Sequence, residues 1–193
     1  MQPSRRSLLA LLFLAGLLGL GIFSLSRTMG QGSLPPGGDF TLQSAAGPVA
    51  LRDLRGRVVL LFFGYTDCPG ICPSALADQA IAFQRLQPDE LARVAGLFVS
   101  VDPERDTPAH LKDYVRVFHP QLQGVTGPPA DLQAIARRYG VLYARQAADA
   151  SGNYAVDHSS ETFVIAPDGR LIARLPYGTP PDAIVAELRR ALR

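Results

Sequence analysis

Cys68 and Cys72 are the only cysteines of this 193-residue chain, and they stand four positions apart in Gly64-Tyr65-Thr66-Asp67-Cys68-Pro69-Gly70-Ile71-Cys72-Pro73. A histidine, His158, follows far downstream in Asp157-His158-Ser159-Ser160. Two soft thiolates and one imidazole make a three-ligand set that suits copper. The same two thiols can also close a disulfide. Metal binding and thiol–disulfide chemistry are therefore both open from the residue types alone.

A purely structural disulfide explains the pair poorly. It would close a loop of five residues, for which chain entropy supplies only roughly 2 kcal/mol. It would join no distant segments, and a domain of this size does not need such a staple. Chemistry has a better physical case. Positions four apart on a helical turn place their Cα atoms about 6 Å apart, within reach of a bridge or of one shared metal. A helix start offers backbone N–H groups and a dipole that favour a thiolate. Structural zinc wants a fourth ligand, and the evident set has three. Three residues separate the cysteines, where a thioredoxin has two, and the chain has no Trp.

The elements that must position these residues can be read around them. Arg57 to Phe63 is a nearly unbroken apolar run, which reads as a central strand buried on both faces and parallel to a neighbour. The cysteine loop follows it. Pro73 suits the first turn of a helix that carries Leu76, Ala80, Phe83 and Leu86 at helical spacing. Val94 to Val101 reads as a second buried strand. Thr107-Pro108 opens a helix with Leu111, Val115 and Phe118 on one face. Leu122 to Thr126 is expected as a short strand and Pro129 to Tyr139 as a further helix. Thr162–Ile165 and Leu171–Leu175 flank the turn Pro167-Asp168-Gly169-Arg170 and read as a hairpin. Thr179-Pro180-Pro181-Asp182 caps a last helix with Ile184, Leu188 and Leu192. Phe40 to Leu51 is expected to add an N-terminal hairpin. The order is that of an α/β, thioredoxin-like domain, a central mixed sheet flanked by helices.

The N-terminus sets the compartment. Arg5 and Arg6 precede 18 uncharged, mostly apolar residues, Leu8 to Leu25. That length reaches the roughly 17–25 residues of a membrane span and exceeds the usual core of a signal peptide. Residues 1–7 are thus expected in the cytoplasm, 8–26 as an anchor, 27–38 as a Gly/Pro/Ser-rich flexible linker, and 39–193 as the folded domain. Ser4-Arg5-Arg6-Ser7 also loosely resembles a twin-arginine export signal, which leaves the destination the same. Without Arg5 and Arg6 the chain carries 17 Lys and Arg against 17 Asp and Glu, so no basic field exists for nucleic acid.

These residues resemble the Sco/SenC family. Gly64 to Pro73 is similar to its copper-binding motif, Val101-Asp102-Pro103-Glu104-Arg105-Asp106-Thr107-Pro108 to its next signature, and Asp157-His158-Ser159 to its ligand-histidine segment. The likeness runs from about Phe40 to the C-terminus in family order. The family's first motif often has His where Asp67 stands, a position outside the three ligands. The resemblance implies a copper chaperone for the binuclear copper centre of cytochrome c oxidase, with Cys68, Cys72 and His158 as ligands for Cu(I) or Cu(II). It implies as partners the oxidase subunit carrying that centre and a periplasmic copper donor or thiol reductant. It also implies a bacterial inner-membrane protein, single-pass, with its C-terminal domain in the periplasm. The family is further credited with reducing its target's cysteines. In that role Cys68 and Cys72 would be the catalytic redox pair of a thiol–disulfide oxidoreductase.

Other polar residues have plainer readings. His110 falls in the first turn of a helix and His119 at its end, where a cation is favoured. Asp106 or Thr107 would cap that helix, with Pro108 at its first position. Asp102, at the carboxyl end of a buried strand, is either loop scaffold or a residue that supports the metal site or partner docking. Tyr65 and Phe63 read as packing.

Overall fold

The computed structural model describes residues 34–193. The expected anchor, 8–26, lies outside them. Among the described residues no helix is long and apolar enough to cross a membrane.

Two strands, β1 (Thr41–Ser44) and β2 (Gly47–Ala50), form the N-terminal hairpin, followed by a 3-10 turn at Leu51–Leu54. Then come β3 (Val58–Gly64), α1 (Ile71–Gln84), α2 (Pro88–Leu91), β4 (Val94–Ser100), α3 (Pro108–Arg116), β5 (Leu122–Val125) and α4 (Pro129–Tyr139). The chain ends with β6 (Tyr143–Arg145), β7 (Val156–His158), β8 (Thr162–Ile165), β9 (Leu171–Leu175) and α5 (Pro181–Ala191). Residues 34–38 have no regular structure. Gly37 N–H nevertheless donates to the carbonyl of Arg138 at 2.9 Å, and the Tyr139 hydroxyl to that of Gly38 at 3.0 Å.

The main sheet has the order β5-β4-β3-β8-β9. β3 runs parallel to β4 and antiparallel to β8, so the sheet is mixed. Every residue of β3 and β4 is buried. This accounts for their continuous apolar runs, because a strand covered on both faces has no polar side to alternate with. The parallel pair requires a long crossover, and α1 supplies it. Leu76, Ala80 and Phe83 of α1 are buried, and α1 lies beside α5, where Arg85 pairs with Asp182 at 2.6 Å. The core packs the rings of Phe63, Tyr139 and Phe163 together at centroid separations of 5.6–6.0 Å. Each such ring or aliphatic chain contributes about 1.5–3 kcal/mol when fully buried. α4 ends at Gly140 in the left-handed region, φ 68°, a position at which a glycine carries no Cβ penalty.

The sequence expectation matches the main sheet and helices to within a residue or two at most ends. It omits α2 and the β6–β7 hairpin. That hairpin forms a separate two-stranded sheet, with Tyr143 opposite His158 and Arg145 opposite Val156.

Candidate metal centre

The site lies at the carboxyl ends of β3 and β4, where an open α/β sheet leaves a crevice. β3 stops at Gly64 and the chain turns through residues 65–70 into α1. Cys72 is the second residue of α1 and is fully buried, while Cys68 on the preceding turn keeps 9% of its surface. Both are free thiols. The backbone N–H of Cys72 points at Cys68 Sγ, 3.4 Å away.

His158 arrives from β7. Its Nε2 lies 3.3 Å from Cys72 Sγ, although 86 residues separate them in the chain. Its Nδ1 lies 2.8 Å from the carbonyl oxygen of Ser159. A carbonyl only accepts, so Nδ1 carries the hydrogen. In the neutral ring, Nε2 is then left as a bare lone pair facing the sulfur, the form in which imidazole binds metals. Tyr65 and Phe62 meet the imidazole edge-on at centroid distances of 5.8 and 6.1 Å and hold its plane. One ligand atom from each of Cys68, Cys72 and His158 falls within 4.8 Å of the others. The three residues singled out from the sequence therefore converge, and together they could hold one metal ion.

The electrostatics differ from the expectation for a helix start. Burial pushes the Cys72 thiol above its ordinary pKa, so desolvation outweighs the backbone dipoles. At neutral pH the thiol keeps its proton until a metal or a nucleophilic step removes it.

The segment after β4 is built differently from a simple cap. Thr107 Oγ1 accepts from the N–H of His110 at 3.2 Å and is the cap of α3. Asp106 is instead buried and reaches back to the cysteine loop. It accepts from the Thr66 N–H at 3.0 Å, the Thr66 hydroxyl at 2.5 Å and the Ser100 hydroxyl at 2.5 Å. Of the two residues offered as the cap, Thr107 fills the role, and Asp106, a carboxylate at 1% exposure, is satisfied by these other donors. Asp102 is buried as well. It accepts from Arg105 Nε at 2.5 Å and from the Tyr154 hydroxyl at 2.8 Å.

The other two histidines stay out of the metal-ligand cluster. His110 Nε2 is 3.1 Å from the Thr66 hydroxyl. His119 is 8% exposed, packs on Phe83 at 5.2 Å, and its Nδ1 accepts from the Gln121 N–H at 3.1 Å. Burial lowers its pKa, so it is a neutral core imidazole and not the helix-end cation that its position suggested.

Sequence reasoning missed Arg105, Asp67, Tyr154 and Arg145, which meet beside the cysteine loop. With Pro69, Asp149 and Asn153, the first three of these line an open cavity of about 440 Å³. Two of their ion pairs bridge separations of 38 and 41 residues, which no local pattern marks.

Comparison with known proteins bears on the whole arrangement. The SCO1/SenC family model matches residues 29–193. The bovine (Bos taurus) protein SCO2 homolog, mitochondrial, is 42% identical over 155 residues, covering 79% of this chain and 58% of its own length. The chain thus spans only about half of the first curated relatives it matches, 47% of one from Arabidopsis thaliana. Among solved structures, Bradyrhizobium japonicum ScoI with copper bound is 34% identical, with a TM-score of 0.74 over 81% of this chain and 99% of that one. BsSco, described as a member of the Sco family of cytochrome c oxidase assembly proteins with a disulfide switch, is 25% identical, with a TM-score of 0.65 over 84% and 96%. The fold is accordingly thioredoxin-like, and the chain belongs to the SCO1/SenC family.

Proposed function

We propose that this protein carries one copper ion on Cys68, Cys72 and His158 and delivers it to, or matures, the binuclear copper centre of cytochrome c oxidase. The observation that carries the reading is the approach of His158 Nε2 to within 3.3 Å of Cys72 Sγ. Two sulfurs and one nitrogen give Cu(I) a trigonal, soft environment, and Cu(II) would add oxygen ligands. A three-coordinate cargo is also exchangeable, since an incoming thiolate can bind before an outgoing one leaves. The copper-bound ScoI relative and the oxidase-assembly role attached to BsSco support the cargo and the target.

The anchor at 8–26, the linker at 27–38 and the domain at 39–193 belong to the same proposal. Arg5 and Arg6 hold the N-terminus in the cytoplasm, and the copper-binding domain faces the periplasm of a bacterial inner membrane. Retention of the chain in membranes through an alkaline carbonate wash is the expected result.

Titration of the reduced full chain with Cu(I) tests the function. One equivalent binds, and Cys68→Ala, Cys72→Ala and His158→Ala each weaken or abolish that site. Undiminished affinity in the His158→Ala chain would remove the histidine from it.

A second reading rests on the adjacent reduced thiols and the disulfide switch ascribed to BsSco. Here Cys68, the less fully buried residue of the pair, attacks a target disulfide as thiolate, forming a mixed disulfide and releasing one target thiolate. Cys72 then loses its proton and attacks Cys68 Sγ, releasing the second target thiol. The target gains two electrons, the Cys68–Cys72 pair is oxidised, and an external thiol reductant resets it. This activity survives His158→Ala, whereas copper binding does not.

A further inference from the structure

Among the described residues, the hairpin that delivers His158 has no ladder to the main sheet: β7 pairs only with β6, over three residues. Something other than sheet hydrogen bonds must hold the imidazole against the sulfurs. Phe62 and Tyr65 meet the ring itself, and a set of polar and stacking contacts that ties the hairpin to the cysteine loop converges on Arg105.

Arg105 is fastened to three parts of the chain at once. Its Nε donates to Asp102 within its own loop. Its Nη1 donates to Asp67 Oδ2 at 2.9 Å, in the cysteine loop, and to the Tyr154 carbonyl at 3.0 Å, just ahead of β7. Its Cζ lies 3.7 Å from the centroid of the Tyr154 ring, and Cζ of Arg145, from β6, lies 3.6 Å from the same centroid. Two guanidinium groups that near one centroid cannot share a face, so the ring is sandwiched between them. The Tyr154 hydroxyl closes the circuit on Asp102, and Arg145 pairs with Glu104 at 2.6 Å. Only an arginine meets all these demands: a flat cation that stacks on an aromatic ring while its edges donate to separate acceptors.

We propose that Arg105 is the positioning residue that closes the β6–β7 hairpin onto the cysteine loop and thereby sets the reach of His158 to the two sulfurs. The inference rests on the reading of those three residues as the copper site. Release of the latch would draw the nitrogen away and leave the sulfur pair in place, a two-coordinate state from which a thiol-bearing acceptor takes the metal more readily.

The test is made first without metal. In the reduced full chain, nuclear Overhauser contacts between the His158 ring and the rings of Phe62 and Tyr65 report the closed hairpin. They should be lost in Arg105→Met/Asp102→Asn, a pair that leaves no buried carboxylate without its cation. Arg105→Lys should not restore the wild-type contacts. The Phe63–Phe163 ring contact reports that the core is intact. If that core contact is lost too, Tyr154→Leu repeats the test with every charge in place. Contacts at wild-type intensity in the variant with an intact core overturn the latch.

Copper supplies the second readout. The double variant should lower Cu(I) affinity roughly 10- to 100-fold. In a His158→Ala background the same change should have no further effect, since the latch acts only through the imidazole. An equal loss in both backgrounds overturns the proposal. If His158→Ala alone leaves copper affinity unchanged, it is the ligand assignment that fails, and the metal-free contacts still decide the latch.

Discussion

Gly64 leaves the space that Cys72 fills. A Cβ at Gly64 would stand 2.6 Å from Cys72 Sγ and 2.9 Å from the Phe98 ring. The last residue of β3 therefore has no side chain because the Cys72 sulfur from the next helix occupies the position. Gly64→Ala should destabilise the fold by about 1–3 kcal/mol through overpacking. It should also lower copper affinity, by displacing Sγ from its partners. Urea unfolding and Cu(I) titration of one preparation check both effects; a variant with unchanged affinity would show that the sulfur is not held by this fit.

Asp106 organises the entry to the cysteine loop. Asp106→Ala leaves the Thr66 N–H, the Thr66 hydroxyl and the Ser100 hydroxyl without their acceptor. Loss of the acceptor for a buried donor such as the Ser100 hydroxyl costs about 1–3 kcal/mol. The expected result is a lower urea midpoint with an unchanged slope. A midpoint equal to that of the parent chain would mean that water replaces the carboxylate at no cost.

His119 predicts a pH dependence of stability. Its folded pKa lies below the unfolded value of about 6.5. Between those two values the unfolded chain binds more protons, so stability falls as pH falls. His119 therefore costs nothing well above pH 6.5, and its penalty grows below that until the native imidazole itself titrates. His119→Asn, which keeps an acceptor for the Gln121 N–H, should flatten this part of the curve. Unfolding free energies at several pH values from neutral to mildly acidic read the difference between the two slopes.

Legibility in the sequence followed locality. β3 and β4 were plain because burial on both faces writes an unbroken apolar run, and the β8–β9 hairpin because Pro167-Asp168-Gly169 spells a turn. The β6–β7 hairpin was not, since three-residue strands carry no periodicity and ten residues separate them. The Tyr154 ring in its loop lies between Arg145 of β6 and Arg105, and only the second of these pairings is made across the fold. The three proposed copper ligands were legible as residue types and by family likeness, but no spacing rule connects His158 to Cys72. For a related reason the sequence left the cap of α3 open between Thr107, which fills it, and Asp106. Its place before Thr107-Pro108 suggests a cap, while its acceptor atoms serve Thr66, 40 positions earlier. His119 stands just past α3 in sequence, where a helix dipole favours charge, but Phe83 and the surrounding core decide its state.

X-ray absorption at the copper edge, on the reduced full chain loaded with one equivalent of Cu(I), tests the central claim most directly. Two sulfur neighbours and one nitrogen neighbour are predicted, with the nitrogen lost in His158→Ala and both sulfurs kept. A shell of sulfur alone in the parent chain, unaltered by His158→Ala, would contradict it.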